Sequence, residues 1–201
     1  MIDWHNASLE ELPAQIWSTL ESSTRDPSHP FRLAALGTNS LTGPTVRTVV
    51  LRTVDSAHRQ LVFFTDARSP KVAEIRQHPR VTWLFYHPGD RVQIRAEATA
   101  EIHHGDEIAL RGWQQTPIVS RVNYCTANPP GTRIARASDS LPRELRAMIP
   151  NAENTAHGLE NFAVVRSVVN RLDWLWLNPE EHRRAEFRWD GNVFQGNWIT
   201  P

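Results

Sequence analysis

Arg91-Val92-Gln93-Ile94-Arg95-Ala96-Glu97-Ala98-Thr99-Ala100-Glu101-Ile102 is the most regular stretch of the chain. Every second residue is apolar: Val92, Ile94, Ala96, Ala98, Ala100 and Ile102. The residues between them are polar or charged. Strict alternation over this length predicts one long strand with a single buried face. The alanines on that face leave room for another backbone or a ligand to come close.

The neighbouring segments keep the same period of two. Val81–His87 reads as a strand, and before it Ser69-Pro70 marks a helix start, with serine as cap and proline at the first position. Val72 and Ile75 form that helix's buried side, and His78-Pro79 stops it. Thr45–Val54, dense in β-branched residues, and Gln60–Thr65 are expected to form a hairpin, with Phe31–Thr38 as a first strand before the turn Asn39–Pro44. At the N-terminus, Ser8 and Glu11 form a capping box. Leu9, Leu12, Ile16 and Leu20 then recur at helical spacing, with Pro13 tolerable in the first turn, so an N-terminal helix is assigned within residues 1–25.

After the long strand, Asp106–Trp113 and Pro117–Tyr124 read as short helices. Residues 125–160 are rich in Pro, Ala, Asn and Arg and are read as a long loop, with a short helix near Pro142–Met148. Strands resume at Phe162–Val169, Leu172–Leu177 and Arg183–Trp189, and Asp190-Gly191-Asn192 signals a hairpin into a last strand carrying Trp198. These elements predict a mainly β protein with a few helices, a barrel of antiparallel strands in a single domain over residues 1–201. The βαβ alternation of a dinucleotide-binding fold and its Gly-x-Gly-x-x-Gly turn are missing.

Composition narrows the functional classes. The 22 basic and 22 acidic residues cancel, so no global field favours nucleic acid or a membrane surface. The single Cys125 rules out an intramolecular disulfide and fits a reducing cytoplasm. Met1-Ile2-Asp3-Trp4-His5 has neither the basic nor the apolar part of a secretion signal, and no apolar run reaches the ~20 residues of a membrane span. Eight tryptophans are many for this length, and most are expected in the core.

Three features point to a phosphate-bearing ligand. Arg47 and Arg52 sit in an otherwise apolar strand, where an unpaired buried charge is costly. A separation of five puts them on opposite faces of a straight strand, so one ligand reaches both only if the strand ends, bulges or lies at a subunit interface. Thr65-Asp66-Ala67-Arg68-Ser69-Pro70-Lys71 runs from a strand end into a helix N-terminus, a natural anion site, with the Ser69 hydroxyl and the Lys71 charge at hand. Gln93 offers a donor and an acceptor from the long strand. His103-His104 is no convincing metal pair, because adjacent strand residues point oppositely. Cys125 reads as a structural thiol.

Those same segments resemble the pyridoxamine 5'-phosphate oxidase family. Arg47-Thr48-Val49-Val50-Leu51-Arg52 is similar to its Arg-x-Val-Leu-Leu-Lys strand, and Phe63-Phe64-Thr65-Asp66-Ala67-Arg68-Ser69-Pro70-Lys71 to its Phe-Tyr-Thr-Asn-x-x-Ser-Arg-Lys stretch. His78-Pro79-Arg80-Val81 with Leu84-Phe85, then Gln93-Ile94-Arg95-Ala96-Glu97-Ala98, follow in the family's order. Leu172-Asp173-Trp174, His182-Arg183-Arg184 and Trp189 resemble its final strands. The resemblance implies a split β-barrel working as a homodimer, with FMN in a cleft between the subunits. It assigns Arg47, Thr48, Val49, Val50, Leu51 and Arg52 to the flavin, Phe64 and Thr65 beside them, and Ser69 and Lys71 to the phosphate. Gln93 falls on the ring edge, and Trp174 or Leu175 with Arg183 and Arg184 come from the C-terminal strands.

The chain also departs from the pattern. Pro70 stands where the family has arginine, and Arg52 where it has lysine. Only Tyr124 offers a counterpart to the substrate-phosphate residues, Ala127 stands about where their arginine would be, and the final Arg-x-His reads Arg183-Arg184-Ala185. Each lost charge-assisted contact costs on the order of 1.5–3 kcal/mol. FMN binding is therefore expected, and turnover of pyridoxamine phosphate is expected to be weak. The leading reading is an FMN-dependent oxidoreductase. The alternatives are a non-catalytic module holding FMN or haem, and a ligand-free structural dimer.

Overall fold

The structure, a computed structural model, describes residues 4–201. Met1-Ile2-Asp3, part of the N-terminus read above as lacking a secretion signal, lies outside the described residues. The chain forms two compact units. Of the described residues, one comprises 4–63, His78–Ala100 and Arg166–Pro201, and the other Phe64–Gln77 and Glu101–Val165.

The first unit is built on strands. In chain order the strands are β1 (Leu33–Ser40), β2 (Gly43–Val50), β3 (Thr53–Asp55), β4 (Gln60–Asp66), β5 (Arg80–His87), β6 (Val92–His103), β7 (Phe162–Leu177), β8 (His182–Trp189) and β9 (Phe194–Ile199), with residues 64–66, 101–103 and 162–165 of β4, β6 and β7 belonging to the second unit. They make one open sheet in the order β2-β1-β5-β6-β7-β4-β3, with β8 and β9 continuing from β7. β1 pairs with β2 and β5, β3 with β4, β5 with β6, and β8 with β7 and β9, all antiparallel. The expected long strand is β6, and its apolar face is buried as the alternation requires: Val92, Ile94 and Ala96 are wholly inaccessible.

The sheet's two end strands, β2 and β3, are consecutive in sequence and joined only by Leu51 and Arg52. The Leu51 N–H donates to the Arg32 carbonyl beside β1, and the Arg52 N–H to the Val62 carbonyl of β4. A two-residue link between the two outer strands of a sheet curls it toward closure, the pattern of a split barrel. Here the sequence reading needs correction. Thr45–Val54 is not one strand of a hairpin with Gln60–Thr65, because β2 pairs with β1 and only the short β3 pairs with β4. A run of β-branched residues signals extended backbone and carries no information on where the partner changes. Likewise Phe162–Val169 and Leu172–Leu177 are one strand, since Asn170 and Arg171 stay extended.

The core of this unit is aromatic. Trp83 stacks on Phe85 with ring centroids 5.8 Å apart, and Phe63 meets Trp83 edge-on at 5.5 Å. Helix α1 (Leu12–Arg25) adds Leu12, Ile16 and Leu20, all fully buried. The expected capping box forms one turn ahead of it: the Ser8 N–H donates to the Glu11 carboxylate and the Glu11 N–H to the Ser8 hydroxyl. Each such large side chain contributes roughly 1.5–3 kcal/mol on burial.

The second unit carries helices α2 (Pro70–Gln77), α3 (Glu107–Gln115), α4 (Ile118–Arg121) and α5 (Arg143–Ala147). Asp106 caps α3 by accepting from the Ala109 N–H. Its core is a second aromatic group, with Phe162 meeting Phe64, Trp113 and Tyr124 at 5.0, 5.4 and 4.9 Å. Gly112 is required there, because a Cβ would stand 2.7 Å from the Val164 methyl. Among the described residues no helix is long and apolar enough to cross a membrane.

Candidate functional site: two arginine stations and a hydroxyl-lysine cradle

In the first unit, Arg47 is anchored by its own hairpin. Its guanidinium donates to the hydroxyls of Thr45, at 2.6 Å, and Thr38, and to the Leu36 carbonyl. The strand break at Leu51 removes the opposite-face difficulty, because Arg47 lies within β2 and Arg52 lies beyond its end. Val49 and Leu51 are buried, so a ligand meets only their backbone. Thr48, Val50 and Arg52 keep accessible side chains.

A second station crosses β6, β7 and β8. Arg95 reaches Asp173 at 2.7 Å, Arg171 reaches Glu97 at 3.0 Å, and the Leu177 N–H donates to the Arg91 carbonyl. These contacts share one antiparallel register, which sets Gln93 opposite Leu175. Leu175 in turn pairs with Arg184. Gln93, Leu175 and Arg184 therefore form a row across three strands, on the sheet face away from the core. Arg184 is fixed by Asp173, with Nε to Oδ1 at 3.1 Å and a terminal nitrogen to Oδ2 at 2.9 Å. That bond outweighs partial burial and raises the Arg184 pKa above its usual value. Arg171 lies between Glu97 and Glu186, and its pKa is raised chiefly by Glu186.

Trp174 and Arg183 lie on the opposite face. Trp174 is wholly buried beside Trp4 and Trp198, with centroids 6.1 and 6.3 Å away. Arg183 lies over the Trp198 ring at 4.6 Å and donates to the carbonyls of His5 and Ala7. The structure thus sets Gln93, Leu175 and Arg184 in one row, buries Trp174 in the core, and leaves Arg183 half-buried on the other face.

The second unit holds the cradle. The Lys71 ammonium donates to the hydroxyls of Thr65 and Ser69 at 3.2 and 3.3 Å, and these lie 3.3 Å from each other. All three stand where β4 gives way to α2, whose first-turn N–H groups add the positive end of a helix dipole. A cation, two hydroxyls and a helix N-terminus fit a phosphate. Arg68 is committed elsewhere: it grips Asp66 with two bonds, of 3.0 and 2.7 Å, and donates to Thr126. Phe64 and Tyr124 lie in the aromatic core, and Cys125 is buried, which pushes its thiol pKa up and leaves it a poor nucleophile. Among the described residues no three metal-ligating side chains converge: His103 is held by Glu101 and Asp106, and His104 meets the Glu160 carbonyl.

A cleft of about 510 Å³ opens in the first unit, lined by Gly37, Thr38, Thr45, Thr82, Glu97 and Arg171 among others. None of the residues expected to bind FMN lines it, and Arg47 touches it only through Thr38 and Thr45. Sequence reasoning also missed the Asp173 bridge. The available signal was an acidic residue inside the apolar run Leu172–Leu177, at a position of the same parity as Arg171.

Comparison with known proteins agrees with this architecture. Residues 12–104 match the family described as "Pyridoxamine 5'-phosphate oxidase, FMN-binding domain". A pyridoxine/pyridoxamine 5'-phosphate oxidase of Kineococcus radiotolerans is 34% identical over 92 residues, 46% of this chain and 34% of that protein. The match thus spans about a third of the relative's length. A pyridoxamine 5'-phosphate oxidase-related, FMN binding protein from Nostoc punctiforme superposes with a TM-score of 0.73 at 24% identity, covering 97% of this chain and all of that one. PhzG from Burkholderia lata, solved with tetrahydrophenazine-1-carboxylic acid, gives 0.68 at 18% identity, covering 98% and 95%. The fold is the split barrel of these proteins. The likeness to the pyridoxamine 5'-phosphate oxidase FMN-binding domain covers residues 12–104, somewhat under half of the chain.

Proposed function

We propose that the chain is an FMN-dependent oxidoreductase, a single split-barrel domain over residues 1–201 that works as a cytoplasmic homodimer with FMN between its subunits. The observation that carries this reading is the Thr65–Ser69–Lys71 cradle, which supplies the donors a flavin phosphate needs. Bound FMN would supply hydride and electron transfer at its ring. The protein's own part is to bind and orient. Lys71 and the two hydroxyls hold the phosphate. Arg47 and Arg52 place positive charge along β2 and beyond its end. Gln93 and Arg184 offer hydrogen-bond donors to a ring edge.

Pyridoxamine phosphate is not the expected substrate. Tyr124, the one counterpart to the family's substrate-phosphate residues, is 8% exposed and packed against Trp113 and Phe162, where its ring serves the core. The test uses purified full-length protein. Yellow protein, or colourless protein that takes up added FMN with a matching change in flavin fluorescence, is expected. Lys71→Met should weaken that uptake roughly 10- to 100-fold, the worth of a charge-assisted contact. Protein that takes up no FMN sinks the reading, and brisk oxidation of pyridoxamine phosphate under air overturns the substrate argument. Tight FMN binding with no redox activity on any amine, alcohol or small acceptor would favour a cofactor-holding module.

A further inference from the structure

Asp173 is the hub of the outward face of β6, β7 and β8. Its side chain is 3% exposed, yet its carboxylate serves two guanidinium groups that are 28% and 38% exposed, those of Arg184 and Arg95. The Arg184–Asp173–Arg95 triad sets one negative charge between two positive ones, although the six groups of the wider network, with Arg171, Glu97 and Glu186, balance. Arg171 does not supply the same charge, because Glu97 and Glu186 both hold it. The donors are also left over. Arg184 spends Nε and one terminal nitrogen on Asp173, Arg95 spends one terminal nitrogen, and the Arg95 Nε is buried with no partner. A guanidinium carries five N–H donors in a fixed fork, so both groups keep donors that Asp173 does not use.

A half-exposed arginine on a strand ordinarily samples several rotamers, and ordering it on binding costs affinity. The two-point contact with a nearly buried carboxylate fixes the plane of Arg184 beforehand. Arg95, bonded to the same Oδ2, is set beside it.

We propose that Asp173 is a positioning residue that locks Arg184 and Arg95 together as a receiving station for a hydrogen-bond acceptor of the bound ligand, a ring carbonyl or an oxyanion. The proposal rests on the flavin-site reading above for its location. It needs only that a ligand with such an acceptor reach this face.

The test is a double-mutant cycle on the full-length chain, read by FMN affinity from flavin fluorescence. Asp173→Asn and Arg184→Gln should each weaken FMN roughly 10- to 100-fold. The double variant should be no weaker than Arg184→Gln alone, and Asp173→Glu should fall between wild type and Asp173→Asn. A purely structural Asp173 would instead add its full loss in the Arg184→Gln background. That result, or wild-type affinity in Asp173→Asn, overturns the proposal. If Asp173→Asn does not fold, Asp173→Glu with and without Arg184→Gln closes the same cycle. If wild-type protein takes up no FMN, the flavin reading fails by itself. The positioning role is then judged from the Nε–H resonance of Arg184 under titration with inorganic phosphate and with benzoate. A saturable shift that Asp173→Asn abolishes supports it and shows which oxyanion is received, and no shift with either overturns it.

Discussion

Arg183 and Arg184 are neighbours in sequence and belong to different worlds. Arg183 lies on the same side of β8 as Trp174, over the half-exposed Trp198 ring and tied to the carbonyls of His5 and Ala7. Arg184 lies on the outward side, clamped by Asp173 and opposite Leu175. The same division separates Trp174 from Asp173 one strand away. Side chains on a strand alternate with a period of two, so adjacent residues of one type are consigned to opposite tasks. One face of β7 and β8 stabilises the unit, and the other presents charge. A motif of two arginines is therefore two separate features, one packed over Trp198 and one held by Asp173.

The sharpest way to break this division is on the core face. Trp174→Ala should cost about 3–5 kcal/mol of stability, since it empties a fully buried site between Trp4 and Trp198. Chemical denaturation would show it as a lower midpoint, and a change under about 1 kcal/mol would mean that Trp174 is not core. Next, Arg183→Ala should cost about 1–2 kcal/mol through the lost carbonyl contacts and the ring contact, while FMN affinity stays at the wild-type value. A large fall in affinity with unchanged stability would move Arg183 to the ligand side. Arg184→Gln should behave the other way round, losing about 1 kcal/mol of stability or less but most of its FMN affinity. Equal effects on both measurements would erase the contrast.

The smallest effect concerns the turn that joins β8 to β9. Asp190 accepts from the Val193 and Asn192 N–H groups and from the Gln195 side chain, which lower its pKa to about 2 from 3.8. A depressed carboxyl pKa contributes stability that is full above the unfolded value and lost as pH falls through the folded one. Acid melting curves should therefore show a slight extra loss between about pH 4 and pH 2 that Asp190→Asn removes. Identical acid profiles for the two proteins would contradict this.

Much of the fold was legible in single segments. The alternation of residues 91–102 announced β6, and Ser8 with Glu11 announced the start of the first helix. Asp190-Gly191-Asn192 announced the last hairpin, where Gly191 takes a φ of +112°. What was misread concerned partners. The change of pairing at Leu51 and Arg52 depends on Arg32 and Val62, which are distant in sequence. The cradle was legible because Thr65, Ser69 and Lys71 lie within seven residues, so a strand end and one helical turn suffice to assemble it. The Asp173 bridge was not, because its arms come from β6 and β8.

By itself the sequence determined the strand periods, the helix starts, the balance of charge and the local anion cradle, since each depends on neighbours a few residues apart. The tertiary structure alone decided which face of each strand is core, where β2 hands over to β3, and which arginine of a pair looks outward. Those outcomes follow from strand order and register, which are set by contacts summed over the whole sheet.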